Sequence, residues 1–269
     1  MGSAQILVEK VPVLTPELKV YLEADPIENA YPLTFVDQEP QRASFWVARR
    51  DGQPCGHLFV YDAHEFSSKW AYIAGDSEVV SRLLGEIPPE GMVVTAPSES
   101  SSILRHLPGF TEAFVQEIMV VERGGERLVD PAPATRLTPE HALTYSRLVA
   151  TADVPVSEQK LELHRDFLRT EVVYGIFANT GVLAAVAGTN AQSPTVWMVT
   201  GVQTAPQFRR QGFAAKVVSA VTRDALAAVG RAALYVDREE RGAVRLYEQL
   251  GYRTVRECTV VDFRADVAH

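Results

Sequence analysis

Apolar and polar positions along the chain fall into one pattern that occurs twice. Phe45-Trp46-Val47-Ala48, the turn Asp51-Gly52 and the run Cys55 to Tyr61 are two β-prone segments around a glycine turn, which predicts a hairpin. Tyr174-Gly175-Ile176-Phe177, the turn Thr180-Gly181 and Val182 to Gly188 repeat it. The ends correspond as well. Leu107-Pro108-Gly109-Phe110 leads into Val115 to Val121, and Leu250-Gly251-Tyr252 leads into Arg256 to Asp262. Each pair predicts a helix closed by a left-handed glycine and followed by a strand. Gly124-Gly125 and Pro131-Ala132-Pro133-Ala134 punctuate the middle of the chain as a linker. We therefore expect a duplication, with domains at 1–130 and 131–269.

The second half can be followed element by element. Thr138-Pro139-Glu140 opens a helix that runs through Val149, with Thr138 as N-cap and Pro139 at the first helical position. Ser157 to Thr170 is a second helix. Strands are expected at 172–178, 182–189 and 195–204. Phe213, Val217, Val221, Ala225 and Val229 recur every fourth position, predicting a long helix over 211–229 that Gly230 ends. A short buried strand over Ala232 to Val236, a helix over 242–250 and a strand over 252–263 complete the order. Two helices followed by β-β-β-α-β-α-β make an α/β fold with a mixed sheet.

Composition removes several classes of function. The chain has 269 residues, 46% of them hydrophobic and 22% charged, with a net charge of −8. That excludes general disorder and coiled coil, and the negative charge argues against binding a nucleic-acid backbone. No apolar run approaches the roughly 18 residues of a membrane helix, and MGSAQILVEK lacks the basic-then-apolar order of a secretory leader. The two cysteines, Cys55 and Cys258, and the six histidines show no metal spacing,. A cytoplasmic protein with reduced thiols and no metal is expected. His164-Arg165-Asp166 lacks the asparagine and glycine-rich loop of a kinase and reads as a helix face. Ser98 to Ser102 reads as a capping loop.

One segment carries candidate chemistry: Val202-Gln203-Thr204-Ala205-Pro206-Gln207-Phe208-Arg209-Arg210-Gln211-Gly212-Phe213-Ala214-Ala215-Lys216. A strand ends, a proline turn follows, and a basic loop with glycine opens a long helix. A helix N-terminus offers unpaired N–H groups and partial positive charge to an anion. At Gly212 and Ala214 the side chains are absent or small, so a phosphate can approach the backbone. A plain strand–turn–helix with surface arginines has the same spacing.

Arg209-Arg210-Gln211-Gly212-Phe213-Ala214 resembles the [QR]-x-x-G-x-[GA] motif of the GCN5-related N-acetyltransferases, the GNAT superfamily. Downstream, Leu234-Tyr235-Val236-Asp237 and Ala243-Val244-Arg245-Leu246-Tyr247-Glu248-Gln249-Leu250-Gly251-Tyr252 are similar to that family's closing strand and A-x-x-L-Y-x-x-x-G-[FY] helix, in its FR47-like form. The match spans about 195–263. The resemblance implies two GNAT-like domains, each a mixed, mostly antiparallel twisted sheet flanked by helices, with a splayed parallel strand pair in the C-terminal one. It implies acetyl-CoA as co-substrate, bound by Gln211, Gly212, Phe213, Ala214 and Ala215 with Arg209 and Arg210, and by the strand Val202, Gln203, Thr204. A backbone N–H near Val202 would polarise the thioester carbonyl, and Tyr247 would protonate the leaving thiolate. The acceptor implied is a primary amine of a small molecule or a protein, and the protein a monomer or homodimer.

Two positions depart from the family pattern. Glu240 stands where members often carry a cofactor-contacting asparagine, and the strand TVWMVTGVQT has no carboxylate to serve as base. Asp237, a water chain or a neutral amine remain open for that role. In the first half the equivalent of the phosphate loop is Trp70 to Gly75, followed by Asp76-Ser77-Glu78. Carboxylates there would cap the helix from within and repel a pyrophosphate. The first half thus reads as a degenerate copy that shapes an acceptor cleft. A catalytically silent acyl-CoA sensor is the alternative function.

Overall fold

The computed structural model describes residues 5–63, 68–150, 155–179 and 181–263. Thr180 of the second expected turn lies outside them. The chain forms two compact units, Met1–Ile118 with Arg256–His269, and Met119–Val255.

The first unit begins with strand β1 (Ile6–Val11) and helices α1 (Pro16–Glu23) and α2 (Ala30–Phe35). Strands β2 (Ala43–Arg50), β3 (Gln53–Ala63) and β4 (Ser68–Ala74) follow, then helix α3 (Ser77–Glu86) and strand β5 (Met92–Pro97). Helix α4 (Ser101–Arg105), preceded by a short 3-10 turn, takes the place of the expected capping loop. Strand β6 (Glu112–Glu122) then runs out of this unit into the next. Strands β1 to β4 pair antiparallel in succession, and β4 pairs parallel with β5. Val79, Val80, Leu83 and Leu84 of α3 are buried against Leu58, Ile73 and Val94 of the sheet. Their spacing puts them on one helix face.

The second unit holds strand β7 (Thr135–Arg136), which the pattern did not signal because it is so short. Helices α5 (Ala142–Val149) and α6 (Glu158–Thr170) follow. Then come strands β8 (Val173–Phe177), β9 (Leu183–Gln192) and β10 (Trp197–Thr204), helix α7 (Phe213–Val229), strand β11 (Arg231–Asp237) and helix α8 (Arg241–Gln249), and strand β12 (Arg253–Asp262) passes back into the first unit at Arg256. The strands lie in the order β11-β10-β9-β8-β7. β10, β9, β8 and β7 are antiparallel neighbours, while β10 and β11 are parallel. Helix α7 buries Val217, Val218, Val221 and Ala225 in a core with Ile176, Ala185, Ala187 and Leu234. Each unit is therefore a mixed, mostly antiparallel sheet with helices on it, as expected.

The units divide elsewhere than at 130. Cys258 to Asp262 of β12 pair antiparallel with Pro97 to Val93 of β5, so the end of the chain completes the first unit. Gly124-Gly125 is a packed turn of the second unit rather than a free linker. The Arg127 N–H donates to the Leu250 carbonyl at 2.9 Å. A Cβ on Gly251 would sit 2.4 Å from the Gly125 carbonyl oxygen, and Gly251 has φ 99°. Gly251→Ala should destabilise the second unit by at least about 2 kcal/mol, from left-handed backbone and overpacking together. The measurement is the urea midpoint; an unchanged midpoint would mean that the turn moves aside freely.

Candidate active site

Strand β10 is held on both sides only at its beginning. Toward β9 it pairs from Trp197 to Thr204, with a bulge across Gly201 and Val202. Gly201 has φ 61°, and a glycine inside a strand is the ordinary signal of such a bulge. Toward β11 the pairing is confined to Trp197 with Ala232 and Met198 with Ala233. Beyond Met198 the parallel strands part, and Val202, Gln203 and Thr204 lie on the part of β10 that β11 leaves unpaired, half-buried. This is the splayed pair expected from sequence. The Thr204 Oγ1 is buried with no hydrogen-bond partner.

Ala205 to Gly212 carry the chain from β10 to α7. A short 3-10 turn spans Pro206–Phe208, and Arg209 turns back so that its Nε donates to the Thr204 carbonyl at 3.2 Å. Arg210 takes the left-handed conformation, φ 63°. Gly212 is the N-cap of α7 with φ 79°, and no side chain caps the helix. The first helical bond is Lys216 N–H to the Gly212 carbonyl, 3.3 Å. Among the described residues, the N–H groups of Arg210, Gln211, Gly212, Phe213, Ala214 and Ala215 have no acceptor. A Cβ on Gly212 would meet nothing within 4 Å, so the space in front of these amides is open. Bare amides, a helix dipole and two exposed arginines form an anion-binding arrangement.

Helix α8 contributes Tyr247, which is 6% exposed and shares a core with Val199, Val202, Phe213 and Ala215. The half-buried position beside it belongs to Leu246, because Val244 and Tyr247 define the inward stripe of α8. Burial pushes the Tyr247 phenol up to about 12. Among the described residues its hydroxyl makes no hydrogen bond, and its ring packs edge-on against Tyr252 with centroids 5.9 Å apart. Every candidate residue thus falls on β10, on the loop or on two helices of the second unit. Asp237 is committed elsewhere: its Oδ1 accepts the Glu239 N–H at 2.8 Å. Glu240 is exposed, and its carbonyl receives the Ala243 and Val244 N–H groups.

The corresponding helix start in the first unit is built differently. Only Gly75 and Asp76 separate β4 from α3. The Asp76 carboxylate accepts the Val79 N–H at 2.9 Å, and Arg50 pairs with both Asp76 and Glu78 at 3.0 Å. The Val79 N–H and both carboxylates are thus satisfied within the unit. The remaining motifs are structural. Arg165 pairs with Glu158 and Glu162, His164 bonds the Ser146 hydroxyl, and burial pushes the Cys258 thiol up to about 12.

Residues 173–261 match the family model described as FR47-like protein. A tandem GNAT protein from the clavulanic acid biosynthesis pathway superposes with a TM-score of 0.57 at 14% identity, covering 95% of this chain and 98% of that one. The chain has the GNAT fold. A GCN5-related N-acetyltransferase from Kribbella flavida superposes at 0.56 with 20% identity, over 78% of this chain and 88% of that one. A Drosophila protein reaches 0.63 at 15% identity, over 91% and 85%. Comparison with curated protein sequences finds no match. No helix among the described residues is long and apolar enough to cross a membrane.

The GNAT-fold second unit buries three phenols whose ordinary value is near 10, Tyr145, Tyr247 and Tyr252, all raised by desolvation, the first two to about 12. A raised value means that the folded state holds the proton more tightly. The stability this supplies is complete below about pH 10, the unfolded value, and is lost as pH climbs toward 12. Denaturation midpoints should fall across that window, and less steeply in Tyr247→Phe. Equal slopes for variant and parent would show that Tyr247 titrates as an exposed phenol.

Proposed function

We propose that this GNAT-fold protein transfers an acetyl group from acetyl-CoA to a primary amine at a site in its second unit. The observation that carries the reading is the open, uncapped start of α7 beside the unpaired stretch of β10. The residues fit the co-substrate: bare amides and arginines suit its pyrophosphate, and the unpartnered Thr204 hydroxyl and strand edge suit its amide-bearing arm. The FR47-like match over 173–261 spans all of them. Acetyl-CoA supplies an activated thioester.

The chain's residues divide the work. The amides from Gln211 to Ala215, with Arg209 and Arg210, hold negative charge at the helix start. Val202, Gln203 and Thr204 align the extended arm, and the amide near Val202 polarises a carbonyl oxygen. Tyr247 holds a proton at its hydroxyl for the departing sulfur. No carboxylate stands on β10, and the Asp237 Oδ1 accepts the Glu239 N–H; the amine arrives neutral, and as it bonds the carbonyl carbon and the carbon–sulfur bond breaks, its surplus proton passes to water while Tyr247 supplies one to the sulfur. The first unit is a degenerate copy that binds no acetyl-CoA, because Asp76, Glu78 and Arg50 already fill that role at α3. A silent acyl-CoA sensor would share the binding residues, and the missing β10 carboxylate favours it. Thiol release from acetyl-CoA across small primary amines and lysine or N-terminal peptides separates the two and sorts the acceptors; no release with any amine would favour the sensor.

Calorimetry with acetyl-CoA should give one site per chain, lost in Gly212→Asp, whose carboxylate would enter the open space before the amides. Two equivalent sites, or unchanged affinity in the variant, would overturn this assignment.

Tyr247→Phe should lower turnover by about tenfold to a hundredfold with acetyl-CoA affinity little changed. The loss is modest because a phenol near 12 is a weak donor to a thiolate of reference value about 8.5. With a neutral amine required and Tyr247 protonated throughout, kcat/KM should rise with pH in step with amine deprotonation and show no decline below about pH 10. Equal turnover in variant and parent would leave Tyr247 a core aromatic.

A further inference from the structure

Tyr247 lies at a helix end whose geometry is unusually well determined. The Tyr252 N–H donates to the Tyr247 carbonyl at 3.0 Å and the Gly251 N–H to the Glu248 carbonyl at 3.1 Å. With Gly251 left-handed at φ 99°, this is a Schellman motif. In it the residue after the glycine packs on the residue five positions earlier, here Tyr252 on Tyr247. The hydroxyl of Tyr252 goes further. It bonds the Thr222 Oγ1 at 2.7 Å, and both residues are buried, at 3% and 0% exposure. Thr222 is in the middle of α7, the helix whose first turn carries the bare amides.

Tyr252 shares its core with Val217, Val218, Val221 and Leu250, and Thr222 is as deeply buried as they are. Phenylalanine and valine would fill the same volume, and exchanging both partners of a buried hydrogen bond for apolar groups of like shape is close to neutral for stability. What the pair supplies is direction: it ties the end of α8 to one place along α7. We propose that Tyr252, through its hydrogen bond to Thr222, is a positioning residue that fixes the Tyr247 ring relative to the start of α7. The inference rests on the reading of Tyr247 as proton donor.

The test uses the full chain and the best amine found with acetyl-CoA. In Thr222→Val/Tyr252→Phe the unfolding midpoint should stay near that of the parent. Its kcat should fall about two- to tenfold, the rate equivalent of one ordinary hydrogen bond, with the KM for acetyl-CoA unchanged. Thr222→Ser, which keeps a hydroxyl, should retain the parent rate. In a Tyr247→Phe background, Tyr252→Phe should cause no further loss, since a residue acting through Tyr247 has nothing left to position. Ring-flip rates from NMR of labelled tyrosine give a readout independent of turnover: Tyr247 should flip at least about tenfold faster in the Thr222→Val/Tyr252→Phe chain, a barrier drop of the same order. If Tyr247→Phe is slow yet the double variant matches the parent in kcat and ring flipping, positioning is overturned and the proton donor stands. Multiplicative losses in the Tyr247→Phe background overturn it also. If Tyr247→Phe itself runs at the parent rate, the proton donor is what fails, and ring flipping alone then decides whether Tyr252 restrains Tyr247.

Discussion

Everything at the candidate site depends on two parallel strands staying together for only Trp197 and Met198 of β10. A strand normally pairs on both edges inside a sheet, because unpaired N–H and C=O groups away from water are costly. Parting β10 from β11 leaves backbone groups facing a gap that an extended molecule can enter as a further strand would. It also moves the end of β10 away from its neighbour, so the chain needs Ala205 to Gly212 to reach α7. Those residues bring the uncapped amides to the gap. Removing the parting would remove the loop, the bare helix start and the open strand edge at once.

The two units show how little is needed to close such a site. In the first, β4 and β5 stay paired from Lys69 to Tyr72, and Gly75 and Asp76 alone lead into α3. Asp76 then supplies, from within the chain, the negative charge that the start of α7 lacks. Arg50, bound to Asp76 and Glu78, neutralises the carboxylates and makes the arrangement self-contained. The same helix dipole serves stability in one unit and is kept available in the other.

Much of this was legible in the sequence. Alternating apolar runs around glycine turns located both hairpins, and a period-four pattern located α7, because each buries one continuous apolar face. Asp76 declared itself as a cap by its place before an amphipathic run, and the Arg209-to-Ala214 motif located the helix start. The bulge at Gly201 had a signal, a glycine within a strand, that the continuous apolar run overshadowed. Which of Leu246 and Tyr247 is the more deeply buried has no local signal, because both are apolar enough to face inward and only the phase of α8 decides between them. The Thr222–Tyr252 bond had no local signal at all, since it joins residues that only the packing of α7 brings together. The limits of the units were equally hidden. A glycine pair followed by prolines reads as a linker, yet Gly125 is pinned against Gly251.

The return of Cys258 to Asp262 onto β5 bears on the order in which the chain is made. Residues 119–255 are contiguous, so the second unit is fully present once they leave the ribosome. The first unit, although its residues emerge earliest, must wait for a strand encoded at the far end, and until then β5 offers an open edge to any passing strand. The half synthesised first is thus the last that can close, and the nascent chain is exposed to mispairing at Met92 to Pro97 from the time that strand emerges until Cys258 to Asp262 follow it.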